Sequence, residues 1–269
     1  MVSGTTSIEP YAGFKLDADT VVVSAAHQRA KLAVLGVDAT AFGHCVDPSF
    51  FIGMAIHAGV SSGISSEGAI NMVQSLIVHR CALLDEELSV NGEIKSISEV
   101  PRGRSTDTDV WFNDENGEPV ITARCTSLRP NPDQAPGRGA GARAAPIIED
   151  LELLAMGATH ELSPECVKAY SSEGNSIHYD LAAAQKAGFR APLIGGGMGV
   201  HFLLADLWRR RAPQALSCDI YFRRPIFWDD AVTIGILGDN RAQALVKRDS
   251  HGALKVATEI AIHELISAP

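Results

Sequence analysis

The sequence predicts an α+β protein in which an antiparallel sheet wraps around one long buried helix, twice over. Three observations carry that prediction. The chain repeats itself weakly at a fixed offset, each repeat holds a strongly apolar helical segment, and each such segment is followed by short runs spaced as a meander.

At an offset of 144, Pro48 meets Pro192, Gly53-Met54 meets Gly197-Met198, Ile56-His57 meets Val200-His201, Arg80 meets Arg224 and Asp85 meets Asp229. Leu88-Ser89-Val90 and Val232-Thr233-Ile234 continue the series, and a shorter shift of 135 brings Gly117 onto Gly252 and Ile121 onto Val256. In the second repeat, Met198 to Trp208 leaves only His201 and Asp206 polar before Arg209-Arg210-Arg211. A helix apolar on nearly every face has to be surrounded. The arginines close it where its dipole favours cations. Strand-like runs follow at 217–227, 231–237, 243–248 and 254–264, and in the first half at 75–83, 88–98, 106–112 and 119–128. Asp114-Glu115-Asn116-Gly117 is a hairpin turn between the last two. This is the double-hotdog arrangement, with two sheets each around its own long central helix.

Between the halves lies a stretch, 130–146, in which Pro, Gly and Ala supply 12 of 17 positions. Such composition predicts a linker. The expected organisation is therefore an N-terminal unit over 1–129, the linker, and a C-terminal unit over 147–269.

The 269 residues are enough for a sizeable core, and 46% apolar with 20% charged residues is a globular composition. A net charge of −9 argues against coating nucleic acid or an anionic membrane. The N-terminus lacks the basic flank and apolar block of a signal peptide, and no apolar run reaches the ~18 residues that span a bilayer, so a cytoplasmic protein is expected. Five cysteines with no Cys-x-x-Cys pair indicate neither a disulfide framework nor a thiolate zinc site, and are expected to be small core residues. The histidines show no helical His-x-x-x-His pair, and the glycines lack dinucleotide or P-loop spacing; no metal or other cofactor is expected.

The segment that carries chemistry runs from Tyr170 to Met198. Glu173 stands five residues before His178 with Gly, Asn and Ser between, a loop whose turns can aim both side chains into one cleft, where such a pair positions a water and moves its proton. Taken alone, the pair also fits a solvated glutamate and a core histidine. Gly195-Gly196-Gly197 then opens the buried helix. Its N–H groups, at the positive end of the dipole, suit a carbonyl oxygen that gains negative charge, and equally fit close helix-on-sheet packing.

Together these residues resemble the MaoC-like dehydratases and (R)-specific enoyl-thioester hydratases. That family's signature runs Asp-x-Asn-Pro-hydrophobic-His, followed some twenty residues later by a Pro-x-x-His-Gly-Met-like entry into the hotdog helix. Here the corresponding stretches are Glu173-Gly174-Asn175-Ser176-Ile177-His178 and Pro192-Leu193-Ile194-Gly195-Gly196-Gly197-Met198. The chain departs from the pattern twice: Glu173 replaces the usual Asp, and Gly196 replaces the usual His. The resemblance implies that His178 is the catalytic histidine with Glu173 as its acid partner. It further implies that Asn175 holds the loop, that the Gly197 N–H binds the thioester oxygen, and that Gly195, Gly196 and Met198 border the substrate.

The implied reaction is reversible hydration of an α,β-unsaturated thioester carried by coenzyme A or an acyl carrier protein. Positions 144 before Glu173 and His178 are Arg29 and Val34, which cannot do this chemistry. Catalysis is thus expected in the second half only, with the first half a degenerate repeat that binds the acyl chain. Arg209, Arg210, Arg211, Arg223 and Arg224 are either a site for coenzyme A phosphates or surface charges. Two alternatives stay open: a thioesterase using Asp206 on the buried helix, and a non-catalytic acyl-thioester binder. Exposed sheet edges favour a homodimer or higher homo-oligomer.

Overall fold

The computed structural model of the chain describes residues 8–131, 144–171, 175–238 and 241–267. Its first half contains β1 (Asp19–Val22), α1 (Ala25–Val34), α2 (Phe50–Ser61), β2 (Ile70–Val78), β3 (Glu87–Val100), β4 (Gly103–Asn113) and β5 (Pro119–Pro130). The second contains β6 (Leu154–Glu161), α3 (Pro164–Ser171), α4 (Leu181–Lys186), α5 (Gly196–Arg211), β7 (Pro213–Phe222), β8 (Ala231–Leu237), β9 (Ala242–Arg248) and β10 (Leu254–Ser267).

The strands form a single antiparallel sheet in the order β1-β3-β4-β5-β2-β7-β10-β9-β8-β6. Read inward from either edge the order is the same, so the sequence repeat is a repeat of topology about the β2–β7 seam. Instead of the two separate sheets expected, one ten-stranded sheet runs through the molecule. The seam pairs Val73 with Tyr221 through Val78 with Leu216, which gives hydrogen-bond partners to what would otherwise be two open edges. Across it the Ser75 hydroxyl donates to Asp219 Oδ1 at 2.5 Å, and on the second-half side His263 Nε2 of β10 meets Asp219 Oδ2 at 2.9 Å.

The helices differ between the halves. In α5, Met198, Val200, Phe202, Leu203, Leu204 and Leu207 are at most 2% exposed, as its all-round apolar sequence requires. It ends at Ala212, in the left-handed region at φ 40°, before Pro213, which cannot extend it. The first-half helix is shorter and only partly enclosed. Phe51 and Ile52 are buried, but Ile56 and Val60 are 40% and 41% exposed because that face borders a cleft instead of the sheet. The expectation of two equivalent surrounded helices is corrected accordingly.

The meander strands β3, β4, β5, β8, β9 and β10 fall close to their expected positions, whereas β2 and β7, expected at 75–83 and 217–227, lie earlier at Ile70–Val78 and Pro213–Phe222. The short edge strands β1 and β6 and the helices α1, α3 and α4 carry no strong periodicity. In the β4–β5 hairpin, Asp114 Oδ1 accepts from the N–H groups of Asn116 and Glu118, and Gly117 takes φ 81°. Residues 132–143 of the expected linker lie outside the described residues. Its C-terminal end is tied down, since Arg223 donates to the carbonyls of Ala144 and Ala145. The N–H groups of Ile147 and Ile148 also donate to the buried carboxylate of Glu259. Among the described residues no helix is long and apolar enough to cross a membrane.

One cysteine expectation is overturned. Cys45 and Cys81, 36 residues apart, form a disulfide, and beside it the Val46 N–H donates to the Ala82 carbonyl at 2.8 Å. A pairing at that separation leaves no local spacing signal. Cys218 is buried, with its thiol pushed up to about 12 by desolvation.

Candidate active site

A cleft of about 1280 Å³ runs between the halves. Ile52, Ile56 and Val60 of α2 line it from the first half, and Asn175, His178, Gly195, Gly196, Gly197 and Met198 line it from the second. Six of the seven residues singled out from the sequence thus share one cavity. Glu173, the seventh, lies outside the described residues.

The loop bearing His178 is held by local capping. Asn175 caps a single 3-10 turn over Ser176–His178, its Oδ1 accepting from the Ile177 N–H at 3.4 Å. Its amide nitrogen donates to the carbonyls of Ser66 and Ala69, both at 3.3 Å, and the Ser176 hydroxyl donates to Glu67 Oε1 at 2.6 Å. The loop of the second half that carries His178 is therefore anchored on residues 66–69 of the first. Ile177 points into the core at 4% exposure, and Asp180 is engaged as the cap of α4, accepting from the Ala183 N–H at 2.7 Å.

His178 is fixed in one tautomer. Its Nδ1 lies 2.8 Å from the Leu193 carbonyl, which can only accept, so Nδ1 carries the proton and Nε2 keeps its lone pair. Burial holds the ring below the ordinary histidine range; the Leu193 carbonyl and the charge of Glu67 push the other way. The net direction favours the uncharged ring. Nε2 lies 3.7 Å from where a β-carbon on Gly195 would stand, so the ring faces the entry to α5.

That entry is built from backbone. Gly195 is the N-cap in extended conformation with no side-chain cap, which leaves the first-turn amides of α5 free of a capping side chain at the positive end of the dipole. A β-carbon on Gly196 would stand 2.7 Å from the Phe222 ring, so a histidine at this position would collide with that ring as it stands. Gly197 is different, because a β-carbon there would meet only ordinary contacts at 3.7 Å or more.

Sequence reasoning missed two polar groups. Glu67 is one, reached through Ser176 as described. The other is a chain of buried groups in which His201 Nδ1 lies 2.6 Å from Asp47 Oδ2 and the Tyr170 hydroxyl lies 2.6 Å from His201 Nε2. His201 is the core histidine its apolar helix suggested, and a fully buried imidazole requires partners. That requirement was the available signal, but the partners lie far away in sequence. Asp206 does not line the cleft; its carboxylate accepts from Arg210 at 2.8 Å and Gln243 at 3.1 Å. Arg223 and Arg224 do line it, although Arg223 also pairs with Glu259.

No protein-family model matches the chain, and no curated protein matches it in sequence. Solved structures do match in fold. HtdX of Mycobacterium tuberculosis superposes with a TM-score of 0.73 at 17% identity, over 91% of this chain and 99% of that one. A MaoC-like dehydratase from Phytophthora capsici gives 0.68 at 16%, over 94% and 96%. A conserved Mycobacterium tuberculosis protein, essential for bacterial survival during infection and described as having a double hotdog fold, gives 0.65 at 16%, over 94% and 97%. The fold is also shared, at 0.57 and 10% identity over 96% and 98%, with a putative oleoyl thioesterase from Lactobacillus plantarum. The chain therefore has the double hotdog fold of MaoC-like dehydratase structures.

Proposed function

We propose that this chain is a hydro-lyase that reversibly hydrates an α,β-unsaturated acyl thioester, with the reacting centre in the second half and the acyl chain lying along α2 of the first. The observation that carries the reading is a neutral, tautomerically fixed histidine on the wall of a large cleft, facing a helix N-terminus that has no side-chain cap. A general base beside preorganised N–H donors is what addition of water to a conjugated thioester requires.

In the hydration direction, His178 Nε2 accepts a proton from water as the water oxygen bonds to the β-carbon. The π electrons move towards the thioester carbonyl, and the charge arriving on its oxygen is met by the Gly197 N–H and the dipole of α5. Collapse of that enolate, with the protonated His178 returning its Nε2 proton to the α-carbon, completes the 3-hydroxyacyl thioester and regenerates the neutral ring. Glu173, on the same loop by sequence, is the proposed partner that shares the water with His178. An oxyanion donor of this kind is worth about 2.7–4 kcal/mol of barrier. The apolar face of α2 suits an acyl chain, and Arg224 suits the phosphates of a coenzyme A carrier, Arg223 being held by Glu259 and the Ala144 and Ala145 carbonyls.

Asp206, engaged by Arg210 and Gln243 away from the cleft, gives the thioesterase reading little support. A panel of enoyl and 3-hydroxyacyl coenzyme A thioesters separates the alternatives when conjugated absorbance and free thiol are followed together. Loss of conjugation without thiol release is expected. Thiol release indicates hydrolysis of the thioester, and binding without either signal indicates a non-catalytic binder; either replaces the hydratase reading.

A further inference from the structure

Among the described residues two buried side-chain atoms have no hydrogen-bond partner, Ser49 Oγ and Gln243 Oε1. Of the two residues, Ser49 lines the cleft and Gln243 does not. Ser49 is 1% exposed. A hydroxyl that gives up water and finds nothing in exchange is costly, so one left over in a cavity wall points to a ligand that completes it.

The local backbone explains why this hydroxyl is left over. Ser49 is the N-cap of α2, where a serine ordinarily turns its oxygen onto the N–H of the second or third helical residue. Here its own dihedrals are already helical, at φ −59° and ψ −27°, and its side chain makes no capping bond. The first amides of α2 are taken by the main chain instead. The Phe50 N–H donates to the Asp47 carbonyl and the Phe51 N–H to the Pro48 carbonyl, both at 3.1 Å, and the Ile52 N–H donates to the Ser49 carbonyl at 3.2 Å. The Ser49 N–H donates to Asp47 Oδ1 at 2.9 Å, and that carboxylate is itself fully buried. The backbone of Ser49 is therefore pinned on both sides, while its hydroxyl serves no bond within the fold.

Ser49 also stands against the entry to α5. A β-carbon on Gly197 would lie 3.7 Å from the Ser49 carbonyl oxygen and 3.8 Å from Ile52 Cβ, so the first turn of α2 abuts the first turn of α5 at the residue whose N–H is proposed to meet the thioester oxygen. A carbonyl oxygen has two lone pairs and can take two donors. We propose that the Ser49 hydroxyl is the second donor to that oxygen, so that the oxyanion site is completed across the two halves, Gly197 giving a main-chain N–H and Ser49 a side-chain O–H. The inference rests on the hydratase reading for its effect on turnover, and on the cleft alone for the contact.

The test uses the intact chain with Ser49→Ala, which deletes only the hydroxyl. Hydration kcat should fall on the order of 10²-fold with a smaller rise in KM, because the donor bonds most strongly to an oxygen that is gaining charge. The melting temperature should not fall, since no hydrogen bond within the protein is lost.

Infrared difference spectroscopy of bound butyryl coenzyme A, labelled with ¹³C at the carbonyl and lacking a double bond to hydrate, reads the contact without turnover. A hydrogen bond to the carbonyl oxygen lowers its stretching frequency, so the labelled band should move up in Ser49→Ala relative to the parent. An unmoved band, or parent kcat in the folded variant, would overturn the proposal. If the parent binds this thioester yet hydrates no enoyl thioester, the hydratase reading fails and the band alone decides the contact; if it binds no thioester, both fail. Should Ser49→Ala not fold, Ser49→Cys, which keeps the bulk with a weaker donor, takes its place with the same directions expected.

Discussion

Replacing His178 by alanine should lower kcat for hydration by about 10²–10⁴-fold while the protein stays folded, since removing a positioned base forfeits proton transfer but little packing. The variant leaves the Leu193 carbonyl without its partner, which costs about 1–3 kcal/mol, so a melting curve belongs beside the kinetics. The parent's pH profile carries the same assignment. Burial lowers the pKa of His178 from the ordinary 6.5, and its neutral form is the base. Activity should therefore persist as pH falls through 6.5 and fail only below it. Stability moves with it, because the unfolded chain protonates this histidine near 6.5 while the folded one resists. The folded state thus loses stability as pH drops from 6.5 towards the lowered folded value. Full turnover in folded His178→Ala would remove this residue from the reaction.

The second large effect is expected at Gly197, where two substitutions separate the backbone donor from the side-chain space. Alanine keeps the N–H and its β-carbon meets only ordinary contacts, so Gly197→Ala should retain most of the activity. Proline removes the N–H. In the first turn of α5 it is tolerated by helix geometry, because that N–H has no partner within the helix. Loss of one oxyanion donor corresponds to about 10²–10³-fold in kcat. Circular dichroism on both variants establishes that the helix still forms. Comparable activity of the proline and alanine variants would move the thioester oxygen away from this amide.

How much of this was legible in the sequence depended on whether the signal was local. The meander strands β8 and β9 could be read because strand alternation and turn residues are properties of a few adjacent positions, and α5 because an all-round apolar helix has only one environment. The loop with Asn175 and His178 and the glycines before α5 could be read for the same reason, since capping and helix entry are local. The single sheet could not, because the β2–β7 seam is a pairing between edges whose residues look like any other strand. Nor could the Cys45–Cys81 disulfide, the Asp47–His201–Tyr170 chain or the approach of Glu67 to Ser176. Each joins groups far apart in the chain, and only the buried His201 announced that partners were needed. The partly exposed face of α2 was misread for a related reason: Ile56 and Val60 are as apolar as core residues, and their exposure is set by the cleft opposite.

The central claim is that water adds to carbon 3 of an intact thioester, and the fate of the water oxygen tests it most directly. Enoyl coenzyme A incubated with the protein in ¹⁸O-enriched water should yield a 3-hydroxyacyl thioester carrying the heavy oxygen at carbon 3, read by fragment mass spectrometry, with no label in the acyl carbonyl. Label in a released carboxylate, or recovery of unlabelled enoyl thioester alone across the panel, would contradict the account.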